Sequence, residues 1–228
     1  MSARLRDLPL ELGAVAGPVL MTAAWLVLGA VSPGYTMWGV HVAPYSPIRQ
    51  PISGLGLGPT GPFMNAAFIV SGVLMVLGAY GIFERIPELR ARYICAPLMA
   101  LPGFGSVIDG VFTFEHFLPH TSGFLLVLAT VPGFSVTGFF LRRLPEWRAL
   151  GAWLIAAGPI TLALVILYFA TFTPTIQGIQ TGVAGLTERL AVTEIDAWYV
   201  VLGWTAFSKR NQSDRNPSQA TALPRAEA

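Results

Sequence analysis

Charge is what this sequence has least of. Only 11% of its 228 residues are Asp, Glu, Lys or Arg, against 54% that are hydrophobic. A water-facing globular surface carries roughly 25% charged residues. The deficit excludes an ordinary soluble domain and makes lipid the natural surrounding, in line with a mean hydropathy of +0.61. Cysteine is nearly missing as well. Cys95 stands alone, so no intramolecular disulfide staples the loops; inside an apolar run it behaves as a small apolar residue. There are three histidines and no HExxH or cysteine cluster, so no metal centre is expected. No GxSxG, Walker or Rossmann pattern occurs, and no cofactor is expected. A formal net charge of +2 is too small to point to nucleic acid.

Long apolar runs are what the sequence does have. Six stand out, from Leu10 to Val31, Pro62 to Phe83, Ile94 to Thr113, Thr121 to Leu141, Leu150 to Ala170 and Leu190 to Phe207. Each is near the ~20 residues that a helix needs to cross lipid. They are continuous rather than alternating, which favours helices over barrel strands. The first is too long for a signal-peptide core and lacks a small-residue cleavage pattern, so it reads as an uncleaved span. Six spans put the tails and the even loops on one side. That side holds twelve of the fourteen Arg and Lys residues, while the other holds Arg49 and Arg189. By the positive-inside rule the first side is cytoplasmic. The expected fold class is therefore all-α, a polytopic bundle of six transmembrane helices in the cell membrane, both termini cytoplasmic. Residues 1–210 form the membrane domain. Residues 211–228, polar and short of apolar residues, read as a disordered cytoplasmic tail.

Within the spans, Gly13 and Gly17 form a GxxxG that lets backbones approach. Pro18, Pro97, Pro102, Pro132 and Pro159 interrupt helices, as membrane proteins tolerate where neighbours satisfy the freed carbonyls. An ionisable group in lipid costs at least ~2.5–3.5 kcal/mol and so faces protein or water. Ser106, Asp109, Thr113 and His116 follow a 3, 4, 3 spacing and share a face if the third helix continues that far. Arg189, Thr193, Asp196 and Tyr199 make a second stripe on the sixth span. Glu194 points away from that stripe and needs another partner. Glu188, at the outer boundary, and Glu115, past the third span, read as solvated. His116 and His120 have the spacing of a helical metal pair, but Pro119 between them argues against one helix. The first outer loop, Ser32 to Gly61, carries His41, Tyr45, Arg49, Ser53 and the run GLGLGPTGP from Gly54, and reads as a surface loop. These charged groups all map to the outer half, and the inner half is expected to hold almost no intramembrane charge. Each stripe is either a dry seam between helices or the lining of an outward-facing cavity.

The stretch from Pro51 to Phe83 resembles the prokaryotic membrane proteins of the domain-of-unknown-function 998 family. It contains the family's IS-x-LG segment (Ile52, Ser53, Gly54, Leu55, Gly56), with Pro62 and Asn65 at the entry to the second span. Gly185 to Arg189, GLTER, is similar to the family's Gly-Leu-x-Glu-Arg before the last span. His120 matches the family's His after the third span. The family's Phe-Pro-x-Asp pattern corresponds to Ser106, Val107, Ile108 and Asp109, of which only the Asp is kept. The resemblance implies a six-span bundle and brings no established activity.

Three functions are compatible with these residues. One is a protein that holds a membrane lipid or small amphiphile in a polar cavity formed by Ser106, Asp109, His116, His120, Glu188, Arg189, Glu194 and Asp196. Another is an intramembrane enzyme in which Asp109, Glu194 and Asp196 act as acid and base on a lipidic substrate. The third is a structural partner subunit. Asp109 and Arg189 are expected to face each other across the third and sixth spans, and Asp109 and Asp196 to line one cavity. The arginine asymmetry gives a first prediction. Reporter fusions after Arg92 and after Arg148 report from the cytoplasm, and one inside the Ser32 to Gly61 loop reports from outside. A reversed signal at any of the three sites rejects the six-span arrangement.

Overall fold

The computed structural model describes residues 8–86, 89–174 and 182–215. The apolar runs are helical: α1 (Gly13–Val31), α2 (Gly61–Glu84), α3 (Arg92–Val111), α4 (Phe117–Val127), α5 (Thr130–Leu141), α6 (Arg148–Thr171) and α7 (Ala184–Arg215). Among the described residues, five helical stretches are long and apolar enough to cross a membrane. They are Leu10–Val31, Gly58–Glu84, Arg92–Val111, Phe117–Leu141 and Pro145–Thr171. The chain is a multi-pass membrane protein, largely α-helical. α7 has the length of a span, but Glu188, Arg189, Glu194 and Asp196 all fall in its first half.

Two helix ends differ from expectation. The third helix stops at Val111, because Phe112 turns to an extended conformation (φ −111°, ψ 106°). Thr113 and His116 therefore do not continue the face that carries Ser106 and Asp109. The fourth apolar run begins at Phe117, earlier than Thr121. Pro119 sits in the first turn of α4, where a missing N–H costs no helical hydrogen bond. The same run is divided into α4 and α5. Pro132 has no N–H to give the Leu128 carbonyl, which instead accepts from Val131 N–H at 3.1 Å in a tighter turn.

α1 packs on α2, α2 on α3, α3 on both α4 and α5, and α5 on α6, and α7 closes the ring by packing on both α6 and α1. Glycine makes these crossings close. A Cβ on Gly103 would stand 2.6 Å from the Gly72 carbonyl oxygen, and one on Gly72 would collide with that of Gly103. Gly138 and Gly151 meet in the same reciprocal way between α5 and α6, and Gly105 and Gly123 between α3 and α4. Gly17, in the GxxxG of α1, lies against α2; a Cβ there would be 2.7 Å from the Ser71 carbonyl oxygen. Ser71 Oγ donates to the Gly17 carbonyl at 2.8 Å. Lipid offers no hydrophobic drive for helices to associate, so this backbone proximity supplies dispersion contacts instead.

The interior has two halves. Towards the arginine-rich end it is apolar, built on Phe83, Met99, Phe134, Leu154, Tyr199 and Leu202. Tyr199, expected on a polar stripe, is buried here and donates to the Met99 carbonyl at 2.6 Å. At the other end the loop between α1 and α2 folds inward. It forms an antiparallel hairpin of β1 (Tyr35–Met37) and β2 (Val40–Val42), followed by a turn of 3-10 helix at Ile52–Gly56. Tyr35, Tyr45, Ile52 and Leu55 of this loop are buried against Trp25 of α1 and Met64 of α2. The expected surface loop is thus largely core, although His41 and Arg49 are exposed.

The arginine-rich end holds a charge that the sequence reading missed. Glu11, at the start of the first apolar run, is fully buried. Arg210 Nη1 lies 3.3 Å and Arg85 Nε 3.8 Å from its carboxylate. Lys209 pairs with Glu146 at 3.3 Å. α7 runs through Arg215, so the segment expected as a tail is helical at its start; from 216 on it lies outside the described residues.

The glycine crossings give a second prediction. Gly72→Val or Gly103→Val places a side chain into a facing backbone and costs about 1–3 kcal/mol of stability. Gly133→Ala is tolerated, because its Cβ meets nothing nearer than Met99 Sδ at 3.5 Å. Thermal unfolding in detergent checks this; equal behaviour of the Gly72 and Gly133 variants would show that close approach is not required.

Candidate functional site

The site is built where the loop between α1 and α2 meets the N-terminus of α7. A helix start leaves backbone N–H groups without partners. Here the loop supplies carbonyls: Gly185 N–H donates to Arg49 O at 3.2 Å and Leu186 N–H to Ile48 O at 3.0 Å. Gly185 has room for no side chain, since a Cβ would stand 2.6 Å from the Pro47 carbonyl oxygen. One turn later Arg189 returns to the same loop. Its Nη1 faces the carbonyl oxygens of Pro47 (2.7 Å), Gln50 (3.1 Å) and its own helix's Gly185 (2.8 Å). Its Nη2 donates to Tyr45 Oη at 2.5 Å. The guanidinium also lies over the rings of Trp25 and Tyr45, at 5.4 and 5.8 Å, and Arg189 is only 6% exposed.

Tyr45 completes this cage by acting in both directions. Burial pushes its phenol up, and the charge and hydrogen bond of Arg189 oppose that only in part. It therefore keeps its proton, accepts from Arg189 and donates to the Pro51 carbonyl at 3.1 Å. Glu188, expected to be solvated, is drawn in instead. Its Oε2 accepts the Ile52 N–H at 2.5 Å. Burial first and the charge of Glu188 second push the Tyr35 phenol up to about 12. The loop carbonyls that remain are taken by α2 and the turn before it. Asn65 Nδ2 donates to Gly56 O at 3.1 Å, and Thr60 Oγ1 to Leu55 O at 3.0 Å.

A second cluster lies on α3 and α4. Asp109 Oδ1 is 3.3 Å from His120 Nδ1. That nitrogen is also 3.1 Å from the Phe112 carbonyl. Asp109 is 8% exposed, and its Oδ1 makes no hydrogen bond. The carboxylate lies on Gly123, where any Cβ would collide with it. Glu188 is near enough for its charge to oppose that of Asp109. The loop between α3 and α4 covers the pair: the Phe114 ring lies 5.1 Å from that of His120 and 6.3 Å from Trp38 at the hairpin tip. Trp38 N–H donates to Glu115 Oε1 at 3.1 Å, so Glu115 anchors the hairpin.

The remaining candidates have partners elsewhere. Ser106 donates to the Phe68 carbonyl of α2 at 2.9 Å. Glu194 accepts from Thr161 of α6 at 2.8 Å and from Trp198 Nε1 at 2.7 Å. Asp196 accepts from Thr22 of α1 at 2.9 Å. His116 precedes α4, exposed, 3.3 Å from Thr113 Oγ1. Thr193 is exposed on α7. Asp109 and Arg189 are not paired, because the guanidinium takes carbonyl and phenol oxygens instead. No hydrogen bond or ion pair joins Asp109 to Asp196 or Glu194 among the described residues. Nor do the described residues contain three or more His, Cys, Asp or Glu grouped to hold a metal.

Two short sequence motifs thus dock on each other, Ile52–Gly56 on Gly185–Arg189, with Asn65 and Asp109–His120 beside them. A family model described as protein of unknown function DUF998 matches residues 15–205, which covers most of the chain and all of these groups. The chain belongs to the DUF998 family. No curated protein and no solved structure matches it. The segments by which the DUF998 resemblance is recognised lie far apart in sequence and form one unit in space. Sequence reasoning missed Tyr45, Gln50 and Thr22 as partners. Tyr45 was visible as a loop aromatic, but nothing in its spacing linked it to Arg189.

The cage gives a third prediction. Tyr45→Phe removes two hydrogen bonds, one from a charged group and one to the Pro51 carbonyl, and costs at least about 1.5–3 kcal/mol. Arg189→Lys costs more, because an ammonium cannot reproduce the planar fork that reaches four oxygens. Unfolding of the purified variants measures both; a wild-type midpoint for Arg189→Lys would show that the cage does not hold the loop.

Proposed function

We propose that this DUF998 protein crosses the cell membrane six times, with both termini cytoplasmic, and holds a lipid or small amphiphile in a polar site of its outer half. The arginine asymmetry supports the orientation. α7 supports a sixth crossing, since each of its buried charges has a partner on a different neighbour, which offsets the cost of an ionisable group in lipid. The observation that carries the site is Asp109. It is a buried carboxylate with one oxygen lacking a hydrogen bond, beside His120 and within the field of Glu188. Six buried side-chain atoms among the described residues lack a hydrogen bond; Asp109 Oδ1 is the one that faces a histidine, and a buried polar atom without a partner points to water or a ligand. Exposed Phe117 and Leu118 at the start of α4 give an apolar approach from the bilayer.

One observation favours a second reading. His120 Nδ1 faces both a carboxylate and a backbone carbonyl, the arrangement that orients an imidazole as a general base. An acid–base enzyme acting on a lipidic substrate would use Asp109 and His120 as that pair. The two readings separate by experiment. Native mass spectrometry of the wild-type protein retains a lipid or amphiphile adduct, and Asp109→Asn, shown to be folded, loses it. An adduct equally abundant in both proteins, or none in either, rejects the binding site at Asp109. Turnover of a retained lipid by wild type but not by folded His120→Ala selects the enzyme.

A further inference from the structure

We propose a second, independent site: the groove between α2 and α3 at the arginine-rich end binds the headgroup of an anionic phospholipid. The groove is a cavity of about 570 Å³. Arg85, Tyr80 and Glu84 line it from the end of α2, and Arg92 and Tyr93 from the start of α3, over an apolar floor that includes Phe83. Two features select the ligand. The arginines come from two facing helix ends, the arrangement that suits one phosphate, and basic pockets between membrane helices hold such headgroups. Tyr80 and Tyr93 are 45% and 75% exposed, as amphipathic rings are where headgroups begin.

The arginines are held in place before a ligand arrives. Arg92 Nη2 donates to Tyr93 Oη at 2.8 Å, with the guanidinium 4.9 Å from the ring centre. Arg85 is steadied by buried Glu11 at 3.8 Å and by the Leu8 carbonyl at 3.4 Å. Glu84 limits the attraction to a lightly charged diester. A choline headgroup would bring its own cation towards the two guanidinium groups, so a glycerol-type headgroup is preferred.

The test uses the full chain in detergent, titrated with phosphatidylglycerol or phosphatidylcholine and followed by native mass spectrometry and thermal unfolding. Phosphatidylglycerol gives adducts and raises the unfolding temperature; phosphatidylcholine does neither. Arg92→Gln weakens the phosphatidylglycerol effect about fivefold, the worth of one arginine near an anionic surface. Tyr93→Ala weakens it too. Arg143→Gln, at the same end but packed over Phe139 at 4.4 Å, leaves it unchanged. The proposal is overturned if both lipids act alike, if folded Arg92→Gln binds as wild type does, or if inorganic phosphate alone reproduces the stabilisation.

Discussion

A guanidinium buried at one end of a membrane bundle has to be surrounded by oxygen atoms. Arg189 cannot lose its proton, and leaving its donors bare would cost more than a helix end can supply. The fold answers by wrapping a loop around it. Carbonyls of Pro47 and Gln50 and the Tyr45 hydroxyl point inward because Arg189 is there. The loop that supplies them must be buried, and buried backbone needs partners of its own. Asn65, Thr60 and the carboxylate of Glu188 provide these. One charge thereby explains an inward-folded loop, a glycine at position 185 and the polar residue at the entry of α2.

The cage also sets where α7 enters the bundle. With Gly185 and Arg189 fixed against the loop, the next turns present Glu194 to Thr161 of α6 and Asp196 to Thr22 of α1. α7 closes the ring of helices by sharing its charges between two neighbours. Beyond Asp196 the helix becomes apolar and joins the dry half through Tyr199 and Leu202. Its far end is tied again, by Arg210 to Glu11 and Lys209 to Glu146. Polar contacts at both ends and dispersion contacts in the middle hold a helix that is too charged to resemble a simple span.

The helices were legible in the sequence because a continuous apolar run of the right length has few other uses. The Gly13–Gly17 contact was legible for a similar reason, since small residues four apart serve close packing. Partner choice was not legible. A shared depth and the lack of a partner in either helix set Asp109 opposite Arg189, but backbone carbonyls and a tyrosine from a distant loop take the guanidinium, and a pattern of side chains does not display carbonyls. His116 was assigned to the face of Asp109 on the assumption of a continuous helix. Phe112 breaks that helix, and the chain folds back so that His120 arrives instead. Glu11 escaped notice because it begins an apolar run, where a carboxylate reads as a boundary residue; only the approach of Arg85 and Arg210 makes it interior.

The Arg189 and Asp109 clusters differ in how their polar atoms are satisfied. Every oxygen around Arg189 has a donor, and the guanidinium lies between two aromatic rings. Such a network rigidifies and specifies structure, and removing it would unfold the loop. Asp109 is different. A serine or asparagine from a neighbouring helix would suffice to satisfy its Oδ1, as Thr22 satisfies Asp196, yet that oxygen has only the edge of a histidine ring at 3.3 Å. Gly123 leaves the space that the carboxylate occupies, and the Trp38–Phe114 contact roofs it. The first cluster holds the loop on α7, although Arg189 Nε is itself buried without a hydrogen bond. Asp109 ties no such loop: its buried Oδ1 faces the His120 ring and makes no hydrogen bond, and an ionisable group at that cost inside a membrane is the place to test for a ligand.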